Sequence, residues 1–147
     1  MPMTAPKKRS LPLSQVYKLL EPGPVVLVTT ARGATQNVMT MSWHTMMDFE
    51  PPIVGCVISN RDYTFELIRA SKECVINIPA AKLAKKVVGV GNCSGRTVEK
   101  FSKFALTPVP ASRVDAVSTA PVQPSVRQKP PPASAGNCLG VKGLGVT

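Results

Sequence analysis

The sequence predicts a mainly β fold with short helices, of the α+β class. Three observations predict it. Three runs rich in aliphatic and β-branched residues, Val25–Thr30, Ile53–Ser59 and Cys74–Ile78, are bounded by turn formers. Short stretches of helical spacing lie between and after them. The pattern then stops near residue 110: seven of the 15 prolines fall between Pro108 and Pro132, and the last aromatic residue is Phe104. The expected organisation is an N-terminal arm and short helix over 1–20, a folded domain over 21–110, and a Pro/Ala/Ser-rich disordered tail over 111–147.

Each element has a local reason. Residues 1–12 are polar and Pro-rich and read as a loose arm. Ser14 can cap a short helix with Val16, Leu19 and Leu20 on one face, and Glu21-Pro22-Gly23-Pro24 stops it. Val25–Thr30 is a strand, Ala31–Ala34 a turn, and Asn37–His44 a second, antiparallel strand. Glu50-Pro51-Pro52 breaks the chain before Ile53–Ser59, a third and largely buried strand. Asn60 or Asp62 caps a helix with Tyr63, Leu67 and Ala70 on one face and Phe65 and Ile68 beside them. Cys74–Ile78 is a short strand ended by Pro79. Ala80–Val88 is a small helix with Leu83, Ala84 and Val87 inward, its three lysines outward, and Gly89 as its stop. Gly91–Gly95 is a loop, and Thr97–Phe104 another short helix with Val98, Phe101 and Phe104 on one side. No periodicity follows Thr107.

Composition bounds the function. Hydrophobic residues are 44% and charged residues 18%, which excludes disorder throughout. The formal net charge of +10 favours phosphates as partners, on nucleic acid or on a small ligand. No apolar run approaches the ~20 residues that span a bilayer, and the expected location is the cytoplasm. Cys56 and Cys74 sit in apolar runs and read as buried thiols; with one histidine, His44, a Cys/His metal site is not expected. His44 has no carboxylate partner in sequence and reads as a surface or packing residue. Asp48 and Glu50 flank Phe49 in what reads as a solvated turn. Gly89–Ser94 has the look of a dinucleotide glycine motif, but it follows a helix instead of a strand. No catalytic residue is assigned.

One constellation points to an anion. Asn37, Thr40, Ser42 and Trp43 lie on one strand and its end. Ser59-Asn60-Arg61 leads from the next strand into a helix, with Thr64 one turn in, and Ser94-Gly95-Arg96 opens another. Hydroxyls, guanidinium groups and helix N-terminal N–H groups are what a phosphate needs. Each residue also has an ordinary structural use, as a cap, an exposed charge or a core aromatic.

These residues carry a resemblance. Asn37-Val38-Met39-Thr40-Met41-Ser42-Trp43-His44, Phe49-Glu50-Pro51-Pro52, Ile58-Ser59-Asn60-Arg61, Cys74-Val75-Ile76-Asn77-Ile78-Pro79, Ser94-Gly95-Arg96 and Lys100-Phe101 resemble, in order, the flavin reductase-like family, which includes flavoredoxin-type proteins. The resemblance runs from about Glu21 to about Pro110. It implies a split β-barrel that binds FMN as a homodimer and exchanges hydride or electrons with NADH or NADPH. Carried over, it implies that the Asn37–Trp43 strand lies along the isoalloxazine and ribityl chain. Ser59, Asn60, Arg61 and Thr64 would then hold ribityl and phosphate groups, with Ser94 and Arg96 near the same site. From Ala111 on, the chain does not resemble the family's further strands, so the barrel is expected to be incomplete. A non-catalytic FMN carrier and a basic nucleic-acid-binding protein are the alternatives. The second is disfavoured, because no aromatic residues interleave with the basic ones.

Overall fold

The computed structural model describes residues 23–49, 52–111, 117–120, 122–129 and 138–145. The expected arm and first helix lie outside the described residues. The architecture is mainly β with short helices, as the sequence predicts.

β1 (Val26–Arg32) and β2 (Thr35–Met41) form an antiparallel hairpin, turned at Gly33 with φ +56°. β3 (His44–Phe49) pairs antiparallel with β4 (Pro52–Val57). Helix α1 (Tyr63–Ser71) and β5 (Cys74–Pro79) follow, and β5 returns to pair with β1. A 3₁₀ turn over Ala81–Leu83 runs into α2 (Ala84–Gly91), and α3 (Lys100–Lys103) is a single turn. β6 (Thr107–Pro110) pairs with β7 (Val117–Ala120) as a separate two-stranded sheet. β8 (Val122–Lys129) and β9 (Cys138–Gly145) complete the large sheet, whose order is β2-β1-β5-β8-β9-β4-β3.

The sheet is curled but not closed: β2 and β3 are its edges. One core cluster joins Val26, Val28, Met41, Cys74 and Ile76 from one half with Val54 and Cys56 on β4, Ile58 just after it, and Ile68 of α1. Such a cluster forms only if the sheet bends so that both halves share an interior. His44 helps hold the bend. Its Nε2 lies 2.8 Å from the carbonyl oxygen of Pro24, tying the start of edge strand β3 to the segment before β1. A second cluster lies on the other face of the hairpin: Leu27 and Val38 under Leu83, Val87, Val90, Phe101 and Leu106. β1 is therefore covered on both faces, which is why its apolar run does not alternate.

Several elements differ from their sequence reading. The run Asn37–His44 is not one strand. β2 ends at Met41, and His44 opens β3, an edge strand whose methionines and polar residues carry little β signal. The buried residues of α1 are Thr64, Leu67 and Ile68; Tyr63 is half-buried and Ala70 exposed. Ala84 is also exposed, and α2 passes through Gly89 to Gly91. Gly89 is a close-approach glycine, since a Cβ there would run into the Phe104 ring. α3 is shorter than the expected Thr97–Phe104. Glu99 caps it, accepting hydrogen bonds from the backbone N–H groups of Phe101 and Ser102.

The largest difference lies beyond Thr107. No strand was expected there, yet β6 to β9 are strands, and β8 and β9 occupy the middle of the sheet. Their pairing is supplied by β5 and β4, whose ladders accept residues of weak intrinsic preference.

Candidate functional site

The candidate site is a cleft of about 540 Å³ at the β2 edge. Successive side chains on a strand point to opposite faces, so Asn37 and Thr40 belong to different faces of β2. Both line the cleft because β2 is an edge strand and the cleft wraps that edge. α1 closes one side. The end of α2 and the following loop close the other.

Hydrogen bonds fix the edge to both walls. Asn37 Nδ2 donates to Thr64 Oγ1 at 2.8 Å, both residues buried, and so ties β2 to the first turn of α1. Thr40 Oγ1 donates to the Val87 carbonyl at 2.6 Å and ties β2 to α2. The loop packs closely here: a Cβ on Gly95 would run into Asn37 Oδ1 and approach Tyr63 Cδ1 at 3.0 Å.

Two Ser-x-Arg segments form the rim. In each, the serine hydroxyl accepts from the arginine backbone N–H, at 3.2 Å for Ser59 and Arg61 and at 3.2 Å for Ser94 and Arg96. The side chains then diverge. The Arg61 guanidinium lines the cleft and has no hydrogen-bond or ion-pair partner among the described residues. Arg96 makes a bidentate pair with Glu66, at 2.7 and 2.6 Å, and its guanidinium carbon lies 5.4 Å from the centre of the Tyr63 ring. The Arg96 hydrogen bonds hold the Glu66 carboxyl below its ordinary value of 4.5.

Of the residues singled out in the sequence, Asn37, Thr40, Arg61, Thr64 and Ser94 line this cleft together. Ser59 stands behind Arg61. Asn60 is exposed next to it. Ser42 and Trp43 follow the end of β2, outside the lining, and Trp43 is 51% exposed. Arg96 is committed to Glu66. Sequence reasoning missed Asp62, Tyr63, Asn92, Cys93 and Lys100 as lining residues, and Asp62 brings a carboxylate to the same cleft. Lys100 is only 6% exposed, and its Nζ donates to the Val90 carbonyl at 3.0 Å, in the last turn of α2. Burial lowers its ammonium below the ordinary 10.5, against the opposing pull of Cys93 and Asp62. Its place beside Phe101 in a helical pattern was the available signal.

The buried thiols of Cys56 and Cys74 are in the core, away from this lining, and burial pushes Cys74 up to about 12. No group of three or more His, Cys, Asp or Glu side chains among the described residues could hold a metal ion. No described helix is long and apolar enough to cross a membrane.

Comparison with known proteins gives the family and the fold. A family described as "Flavin reductase like domain" matches residues 19–126, past the expected boundary at Pro110. An uncharacterized protein of Pyrococcus abyssi is 33% identical over 98 residues, covering 67% of this chain and 56% of that protein. The chain spans about half the length of the curated relatives it matches. Among solved structures, the flavoredoxin of Desulfovibrio vulgaris (Miyazaki F) superposes with a TM-score of 0.79 at 23% identity, over 99% of this chain and 76% of that one. An FMN-binding domain of a flavin reductases-like enzyme from Shewanella baltica superposes with a TM-score of 0.79 at 24% identity, over 92% and 74%. At these identities the two structures show the shared fold.

Proposed function

The chain belongs to the flavin reductase-like domain family, and from that premise we propose that it binds FMN in the cleft at the β2 edge and works as a flavin reductase-like oxidoreductase, with NADH or NADPH as electron donor. The observation that carries the reading is the gathering of Asn37, Thr40, Arg61, Thr64 and Ser94 around one cleft. The residues fit the cofactor. A volume of about 540 Å³ lies inside the ~300–1,000 Å³ of small-molecule sites. Arg61 offers a guanidinium with no described partner, suited to a phosphate. Met39, half-buried on β2, offers apolar wall to a ring.

Bound flavin supplies the hydride chemistry at its ring, so the protein needs no nucleophile and no acid–base pair. The chain's own residues bind and orient. Arg61 and Ser59 take the phosphate end; Asn37, Thr40 and Thr64 form the polar wall. Ser42, Trp43, Asn60 and Arg96 join the set where flavin extends past the cleft lining. Exposed Trp43, Met46, Met47 and Val57 on and beside β3 and β4 support a homodimer. The location that goes with this reading is the cytoplasm.

The test is the absorbance spectrum of the purified protein, followed by FMN titration and stopped-flow mixing with NADH and NADPH. Bound flavin that bleaches on mixing supports the oxidoreductase. Bound flavin that does not bleach makes the protein an FMN carrier. A colourless protein that binds no FMN, but binds random duplex DNA in a salt-dependent way, overturns the reading in favour of nucleic acid.

A further inference from the structure

We propose that the outer face of α2, with the adjoining end of α3, is a docking surface for an acidic protein. The last turn of the same helix lines the cleft, but the surface needs no flavin to bind. Three observations carry it. Leu83, Val87 and Val90 turn one side of α2 and its leading 3₁₀ turn into the core, and Lys82 and Lys85 stand exposed on the other. Neither lysine has a hydrogen-bond or ion-pair partner among the described residues. Second, the basic groups of two helices join. Lys86 Nζ donates to the Ala105 carbonyl at 2.8 Å, just after α3, where Lys103 is exposed with its Nζ 5.8 Å from the centre of the Phe104 ring. Third, the lysines stand beside apolar surface. Val88 is 62% exposed, one helical turn after Lys85 and Ala84, and Ala84 is exposed too.

Between Ala80 and Leu106 the sequence holds one carboxylate, Glu99, and it is occupied in capping α3. The face is therefore positive without internal compensation. A solvated helix face has no use for an exposed valine among its charges, whereas an apolar centre with a polar rim is the anatomy of a protein interface. The rim sets the sign of the partner: it steers acidic proteins in and repels basic ones. The apolar centre sets the class. Phosphates are held by charge and gain nothing from Val88, so the surface fits a protein better than nucleic acid. Exposed charges of this kind make a fast, salt-sensitive encounter.

The test titrates the full chain, as purified, with cytochrome b5, a small acidic protein, by biolayer interferometry at low ionic strength. Circular dichroism melting checks that each variant folds. Binding should be present and should fall as salt is added. Lys82→Gln, Lys85→Gln and Lys103→Gln together should weaken it about tenfold, as expected for three rim charges. Lys7→Gln, Lys8→Gln and Arg9→Gln together remove the same charge from another part of the sequence and should cost little. Val88→Ser leaves the charge untouched and should weaken binding severalfold. Equal losses from the two triple variants would make net charge alone responsible and overturn the surface. A silent Val88→Ser overturns it as well, as does a wild-type chain that does not bind cytochrome b5. Random duplex DNA is the counter-probe. If it binds with the same loss in the Lys82, Lys85 and Lys103 variant, while Val88→Ser is silent toward both probes, the face belongs to nucleic acid. Flavin content is read separately, so a colourless chain that binds no FMN but shows the expected pattern keeps the surface and overturns the flavin reading alone.

Discussion

Asn77 and Thr30 are both fully buried polar side chains, and the fold treats them differently. Asn77 sits on β5, and its amide nitrogen, with two N–H donors, has three acceptors in reach, the Leu27 carbonyl at 3.0 Å, Thr29 Oγ1 at 3.1 Å and the Val75 carbonyl at 3.2 Å, the first two of which stitch β5 to β1 beyond their ladder. Thr30 Oγ1 has no partner among the described residues. A buried hydroxyl without a partner costs free energy that a methyl does not. Thr30→Val should therefore stabilise the chain by up to about 1 kcal/mol, read as a higher Tm; a lower Tm would mean that the hydroxyl has a role. Arg61 is a residue-scale case on the binding side. Arg61→Ala should weaken FMN by about 1.5–3 kcal/mol with little change in Tm, since its side chain holds nothing in the described fold. Unchanged affinity by flavin fluorescence would remove Arg61 from the site.

Among the elements, α1 and the loop after α2 are joined by the Arg96–Glu66 pair, which spans the outer side of the cleft. Both side chains are well exposed, at 41% and 51%, so the pair is a salt-screened tether more than a source of stability. The sign of its pH dependence follows from the direction of the shift. Glu66 is lowered in the folded chain, so the unfolded chain binds its proton first. The contribution is complete above the ordinary carboxylate value of 4.5 and is lost as pH falls through the lower folded value. Melting curves of wild type and Glu66→Gln should differ slightly at neutral pH and low salt, and converge in acid and in high salt. A gap that persists in acid would assign the effect of Glu66 to packing.

At the scale of the whole molecule, the large sheet has one weak seam. β1 and β2 pair over seven residues and β4 and β9 over five, whereas β8 and β9 share two registered pairs across a shift in register. The halves β2-β1-β5-β8 and β9-β4-β3 are otherwise joined by the core cluster that packs both onto one interior. Removing residues 130–147 takes away β9 and leaves the β4 and β8 edges unpaired. Free edges invite pairing with other chains. The shortened chain should aggregate on size-exclusion chromatography and lose flavin. If it stays monodisperse and melts cooperatively, β9 is dispensable and the shared core alone holds the halves together.

The sequence by itself determined the fold class and the elements whose signal is local. β1, β4 and β5 are apolar runs between turn formers, α1 begins after Asp62, and Cys56 and Cys74 are buried in strands, all readable from neighbours in the chain. Five of the singled-out polar residues also come together at one cleft. Tertiary structure decided the rest, because the relevant partners lie far along the chain. β3, β8 and β9 are strands by virtue of the ladders that receive them, not of their own propensity. Asn37 and Thr40 share a site although strand alternation separates them, because only the sheet order makes β2 an edge. Lys100 reads as one more surface lysine in a basic chain. The helical pattern around Phe101 places it on a short helix, but it becomes a buried cation at the cleft only in the folded chain, where its ammonium meets the Val90 carbonyl of α2.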